Sequence, residues 1–140
     1  MREELAWAAG FFDGEGNTNA YRKGGSGPFV LQMSVTQVHR ETLERFQRAL
    51  GGLGTIYGPY STISGRLPQY TIKIRTHEHI QAAVSMLWPW LCPPKRIQAT
   101  GAIRDFRSTC RIPLSEGERL DRRRAAARKW YHANKERSHA

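Results

Sequence analysis

Two stretches of strict alternation constrain this chain more than any other feature of its sequence. Between residues 29 and 36, the apolar Phe29, Leu31, Met33 and Val35 alternate with Val30, Gln32, Ser34 and Thr36. Between residues 69 and 75, Tyr70, Ile72 and Ile74 alternate with Gln69, Thr71, Lys73 and Arg75. Successive side chains of a strand point to opposite faces, so each stretch is a strand with one apolar face and one mostly polar face. Strands of this kind belong to an antiparallel sheet covered on one side and wet on the other. Each has a partner upstream. Residues 17–23 read as a strand closed by the turn Gly24-Gly25-Ser26-Gly27-Pro28, and residues 54–60 as the first strand of a second hairpin.

Helices fill the gaps between and after the hairpins. Residues 5–12 are apolar on nearly all sides and run into Asp13-Gly14-Glu15-Gly16, which predicts a short helix buried all round. Residues 39–50 carry Leu43, Phe46 and Leu50 at helical spacing and stop at Gly51-Gly52. A third helix is expected over residues 77–91, closed by Pro89 and then Pro93-Pro94, and a fourth over residues 97–106. The order helix, hairpin, helix, hairpin, helix defines an α+β core over residues 1–112. Residues 113–140 are expected to be a basic helix or a flexible tail.

The partner is constrained by charge. With 22 Lys and Arg against 12 Asp and Glu, the 140 residues carry a net charge of +10, which favours a polyanion through counterion release. No long apolar run is present, and Met1-Arg2-Glu3-Glu4-Leu5 does not read as the start of a signal peptide. The expectation is therefore an intracellular protein with no membrane partner, with bacterial or phage-infected cytoplasm and organelle left open. Cys92 and Cys110 form no CxxC pair, so two buried or free thiols are expected.

Ala8-Ala9-Gly10-Phe11-Phe12-Asp13-Gly14-Glu15-Gly16 resembles the LAGLIDADG nonapeptide, and the resemblance to that family covers about residues 5–107. Ala9, Gly10, Asp13 and Gly16 match letter for letter. Ala8 replaces a leucine, Phe11 and Phe12 are apolar substitutions, and Gly14 replaces an alanine. Glu15 stands in place of the final aspartate and keeps the carboxylate. The resemblance implies the αββαββα homing-endonuclease fold, a twisted antiparallel saddle with helices on one face. It also implies a homodimer that cuts both strands of a long near-palindromic duplex and takes no small-molecule substrate.

The residues support that reading by their own chemistry. Ala6 and Gly10 lie on one helical face and are small enough for a partner helix to approach closely. They are expected at a dimer interface with Ala9 and Asp13. Such a pairing would set two Glu15 carboxylates side by side, where they repel unless cations lie between them. Mg²⁺ is the expected metal, held by Glu15, with Mn²⁺ or Ca²⁺ expected to substitute for binding. Asp13 points elsewhere on the helix and is expected to be structural. Two further catalytic positions follow from the resemblance. Gln37, at the end of an apolar strand face, is expected to position water, and Lys95, after a double proline on a fixed turn, to stabilise charge at the scissile phosphate. Arg40 and Arg96 are candidate phosphate contacts.

Base edges would be met by the outward sets of the hairpins: Asn17, Asn19, Tyr21 and Lys23; Val30, Gln32, Ser34 and Thr36; Gln69, Thr71, Lys73 and Arg75. Beyond the core, Arg122, Arg123 and Arg128 are candidates to grip phosphates flanking the site. Two rival functions fit part of the pattern. One is a non-cleaving binder on the same scaffold, an RNA maturase or a DNA-binding regulator; the other is a ribosome-associated or RNA-packaging basic protein.

Overall fold

The computed structural model describes residues 1–61, 64–110 and 115–138. Helix α1 (Arg2–Glu15) buries Ala8, Ala9 and Phe12 on one side only. Gly10, Gly14 and Glu15 are exposed, so the helix expected to be buried all round has an open face. It stops at Gly16, whose N–H still bonds to the Phe12 carbonyl while its backbone turns extended, φ −87° and ψ 156°. The Phe12 ring lies directly over Gly16: a Cβ there would stand 2.0 Å from Phe12 Cδ2. The glycine is therefore needed for close approach, because the ring above it is itself only 1 % exposed and has nowhere to go.

From that turn the chain enters β1 (Gly16–Arg22), returns as β2 (Phe29–Gln37), and crosses into α2 (Arg40–Ala49). The second hairpin is β3 (Thr55–Tyr60) and β4 (Gln69–Ile74), followed by α3 (His77–Leu87) and α4 (Pro93–Thr109). The sheet is antiparallel in the order β1-β2-β4-β3. Leu31, Met33, Val35, Ile72 and Ile74 of the sheet join Ala8, Phe12, Leu43, Phe46, Ile80, Leu87 and Ala99 of the helices in one core. Aromatic contacts tie the first two helices together, with Phe12 stacked on Phe46 and Phe11 edge-on to the same ring. A bidentate ion pair adds to them: Arg45 donates to both Glu4 oxygens at 2.8 and 3.0 Å while its guanidinium lies 3.9 Å from the Trp7 ring centroid. After α2, Gly51 and Gly52 return hydrogen bonds to Arg48 and Gln47 in a Schellman ending that requires their positive φ.

Several boundaries differ from those the sequence suggests. β1 ends at Arg22, so Lys23 opens a 3₁₀ turn instead of closing a strand. β4 ends at Ile74 and leaves Arg75 just beyond it. The third helix stops at Leu87, and Trp88–Trp90, with Pro89 inside, forms a separate 3₁₀ turn. α4 begins at Pro93, four residues before its expected start at residue 97. Prolines at the first helical positions sacrifice only N–H groups that no helical bond would use, so the double proline starts this helix.

Two units make up the chain, Met1–Cys110 and Arg111–Ala140. The expected division after residue 112 lies outside the described residues. In the second unit, Glu116–Ser138 is a helix, α5. Ser115 and Glu118 start it with a reciprocal capping box, Oγ accepting from Glu118 N–H and the Glu118 carboxylate from Ser115 N–H. Those hydrogen bonds hold the Glu118 carboxyl below its usual range.

Gly16→Ala tests the packing at the α1–β1 turn. It is expected to destabilise the chain by about 1–3 kcal/mol, the usual cost of overpacking a closed site. A urea melt that overlays the wild type would show that Phe12 yields.

Candidate nucleic-acid interface and catalytic corner

The open sheet face follows from the register. Asn17 pairs with Ser34, Asn19 with Gln32 and Tyr21 with Val30; Ser34 pairs in turn with Lys73 and Thr36 with Thr71. Directly opposed residues share a face. The alternating residues singled out on β1, β2 and β4 therefore stand on one side of the sheet, opposite the core, and across it the Thr36 and Thr71 hydroxyls share a 2.9 Å hydrogen bond. Lys23 is off that face, in the turn. β3 adds two residues that alternation did not reveal, because its pattern is broken at Gly58-Pro59: Thr55 stands opposite Lys73 and Tyr57 opposite Thr71. Around the Tyr57 ring lie two cations, Lys73 Nζ at 5.8 Å and the Arg75 guanidinium at 5.6 Å from the centroid.

One end of this face meets the end of α1. Glu15 is exposed and makes no hydrogen bond or ion pair with the described residues. Lys95 lies beside it, because its Nζ donates to the Gly16 carbonyl and sits 5.8 Å from the Phe12 ring centroid. It belongs to the first turn of α4 and not to a preceding turn. Gln37 is two residues beyond Val35, the partner of Gly16, and so closes β2 at the same end. Its Oε1 accepts from the Val38 N–H at 2.9 Å. Arg40 is near by: its guanidinium stands 5.9 Å from the ring of Tyr70, the cross-strand partner of Gln37, while Nε is bonded to Glu44. Lys95 is thus placed at the backbone next to Glu15, Gln37 at the same end of the neighbouring strand, and Arg40 beside the cross-strand partner of Gln37. Arg96 is not among them. It donates to the Pro89 carbonyl and lies 5.1 Å from the Trp88 ring, turned back on its own helix start. Arg122, Arg123 and Arg128 are exposed on α5, in the second unit.

Two side chains that build this corner carry no charge toward the open face. The Asp13 carboxylate accepts the Cys92 N–H at 3.1 and 3.2 Å, placing an anion at the amino end of α4, where orphan N–H groups and the helix dipole favour it. Gln98 of α4 bridges the edge of β1, accepting from Thr18 N–H at 3.2 Å and donating to Asn17 Oδ1 at 3.0 Å. Of the expected interface residues, Ala6 is half-buried and Gly10 exposed with open space where a Cβ would be. Ala9 is fully buried in the chain's own core and is not available to a partner. Gly14, exposed and one turn on from Gly10, continues the small-residue face instead. Both cysteines are free and exposed. Among the described residues, no three His, Cys, Asp or Glu side chains cluster as one metal site, and no helix is long and apolar enough to cross a membrane.

A four-stranded antiparallel sheet, open on one face and joined at a corner to a small-residue helix ending in an acid, is the arrangement of one class of protein. A family model for the LAGLIDADG-like domain matches residues 2–87, and the chain belongs to that family. No curated protein matches it in sequence. Among solved structures it is similar to the homing endonuclease I-CvuI in complex with the I-CreI target, at 23 % identity and a TM-score of 0.58, over 73 % of this chain and 64 % of that one. It also resembles the archaeal intron-encoded homing endonuclease I-Vdi141I bound to DNA, at 17 % identity and a TM-score of 0.55, over 81 % and 88 % of the two chains. A third similarity is to the group I intron-encoded homing endonuclease I-CeuI bound to DNA, at 15 % identity and a TM-score of 0.52, over 77 % and 54 %. The match thus spans less than two thirds of I-CvuI and of I-CeuI. At these identities the likeness establishes the α+β homing-endonuclease fold.

The contact between Asp13 and Cys92 has a chemical readout. The Asp13 carboxylate beside the thiol accepts its hydrogen bond and repels a thiolate, pushing Cys92 above the usual thiol range. Asp13→Ala is expected to bring the ionisation back down and speed alkylation of Cys92 by iodoacetamide at mildly alkaline pH. Unchanged kinetics at Cys92 would mean that the carboxylate is not at the amino end of α4.

Proposed function

We propose that this protein is a site-specific double-strand DNA endonuclease of the homing type, acting as a homodimer on a long near-palindromic duplex with a divalent metal. The observation that carries the reading is the corner itself: an exposed Glu15 carboxylate with no partner among the described residues, at the end of the open sheet face, with Lys95 on the adjoining carbonyl and Gln37 closing the neighbouring strand. The sheet face offers amides, hydroxyls and cations at a period of two, suited to base edges in a major groove. The small face of α1, with Gly10 and Gly14 exposed and Ala6 half-buried, suits close packing against its own copy and would bring Glu15 of each chain to the two-fold axis.

A divalent metal fits these donors. Glu15 stands at the carboxyl end of α1, where the helix dipole favours a cation, and its oxygens are unclaimed by the described residues. Mg²⁺ is usually held by one or two carboxylates and substrate phosphates, with waters making up the rest. One carboxylate per chain therefore suffices when two chains meet. Bound there, the metal would supply Lewis-acid stabilisation of the phosphate and a more acidic water. Structures of I-CvuI were obtained with 2 mM Mg or with 2 mM Ca, which makes these two ions the natural trials. Of the chain's own residues, Glu15 would hold the cation, Gln37 orient water by its amide, and Lys95 neutralise charge at the phosphate.

The rival reading, a non-cleaving binder on the same scaffold, separates in one experiment. The wild-type chain and Glu15→Gln are incubated with a target-bearing plasmid in Mg²⁺ and in EDTA. Metal-dependent linearisation by the wild type is expected, with at least a hundredfold loss in the variant, typical of removing a group that stabilises transition-state charge. Binding without cutting in any metal would leave the regulator or maturase reading. A solution mass of one chain would remove the two-fold site.

A further inference from the structure

Among the described residues of the first unit, Lys73 and Arg75 are the two cations that share one aromatic ring. They stand on the open sheet face, they form no ion pair among the described residues, and one ring, Tyr57, lies within 6 Å of both by centroid distance. Most other cations of the first unit with a described contact are spent elsewhere: Arg45 on Glu4, Arg40 on Glu44, Arg96 on Pro89 and Trp88. We infer that Lys73 and Arg75, held by Tyr57, read two guanines in each half of the DNA target. The inference rests on the sheet face being a DNA-reading surface.

Position argues for bases and against phosphates. β4 is an interior strand, flanked by β2 and β3, so side chains on its outward face project into a groove and not onto its walls. Lysine and arginine both satisfy the paired acceptors O6 and N7, which only guanine presents in the major groove. The ring matters because a free lysine or arginine loses much rotamer freedom on docking, whereas one already lying against an aromatic face has lost part of it beforehand. The two cations also border a recess of about 360 Å³ with Thr55, Thr76 and His79, and no carboxylate lines it. Room for an incoming base edge is thus present without an acid to compete.

The register gives the place in the target. Tyr70 is opposite Gln37 at the catalytic corner. At ~3.4 Å per residue, Lys73 lies about 10 Å and Arg75 about 17 Å along β4 from that point. With ~3.4 Å of rise per nucleotide, these distances correspond to about three and five base pairs outward from the corner.

The test selects bound duplexes from a library randomised over one half-site, using the full wild-type chain with Ca²⁺. Two guanines, about three and about five base pairs outward from the catalytic corner, are the expected result. Arg75 is exposed and outside the strand, so Arg75→Ala leaves the core intact and is expected to relax the outer guanine by about tenfold, with other positions unchanged. Lys73→Ala should do the same for the inner one. Tyr57→Phe should keep both preferences and Tyr57→Ala weaken both, which a merely structural tyrosine would not do position by position. The inference is overturned if the selected duplexes show no guanine there. It is equally overturned if Arg75→Ala weakens all sequences alike and lowers the salt dependence by about one ion, the mark of a phosphate contact. If folded wild-type protein retains no duplex at all, the DNA-reading surface itself is refuted, and the guanine assignment with it.

Discussion

The Phe12 ring seated on Gly16 is the contact on which the geometry of this protein turns. It sets where α1 ends and in which direction β1 leaves, and both are fixed because the ring is locked between the sheet and Phe46. A helix that ended one residue later would rotate its last side chain by about a quarter turn or more. Glu15, the last residue of α1, is exposed, while Phe12, one turn earlier, is buried. The same turn exposes the Gly16 carbonyl to Lys95 and starts the register that brings Val35, and then Gln37, to the same end of the sheet.

α4 completes that corner through polar contacts with β1 and α1. Asp13 takes its amino end, Lys95 reaches Gly16, Gln98 satisfies the outward N–H of Thr18, and the Thr109 hydroxyl accepts from Phe29 N–H at the far end of the hairpin. An edge strand with free N–H groups invites pairing with another chain. Here a helix covers that edge, so the sheet presents its face and keeps one margin occupied. Asn17 is drawn partly into this seam by Gln98, leaving its amide nitrogen as the group free of that bond.

The sheet was largely legible in the sequence because its signal is local: period two, written twice, with glycines between. The alternation on β2 and β4 placed Leu31, Met33, Val35, Ile72 and Ile74 in the core and their neighbours outside. What escaped were features set by tertiary packing. Ala9 matches the motif letter for letter, yet it serves the chain's own core, and no one-dimensional pattern distinguishes it from Gly10. The double proline reads as a stop, whereas Cys92 supplies the cap and Asp13, distant in sequence, accepts its N–H. Tyr57 was hidden by Gly58-Pro59, where the ladder shifts between Tyr57 and Tyr60 and alternation fails as a guide. Arg96 and Lys95 are neighbours with equal charge, and the tertiary partners differ: Lys95 reaches the Gly16 carbonyl, whereas Arg96 turns to the Pro89 carbonyl and the Trp88 ring.

The state of Glu15 is the most informative electrostatic fact about the corner. Three acids of this unit are engaged, Glu4 with Arg45, Glu44 with Arg40 and Asp13 with the amino end of α4. The Glu15 carboxylate has no hydrogen bond or ion pair among the described residues, nor have those of Glu3, Glu41, Glu78 and Asp105, and of these five it is the one next to the residue that Lys95 bonds. Lys95 is close enough to bond to Gly16, the residue next to Glu15, and donates to the backbone carbonyl there. A lysine and a carboxylate on adjoining residues would pair if the fold served only stability, since an exposed pair costs little and gains a few tenths of a kcal/mol or more. Anchoring the lysine on a carbonyl leaves the acid with its oxygens open and keeps a cation beside it. For a polyanion lying on the sheet, that acid is repulsive until a metal ion joins it. The repulsion makes Glu15 a poor residue for a surface that only binds, and a suitable one for a surface that binds through a cation and acts on phosphate.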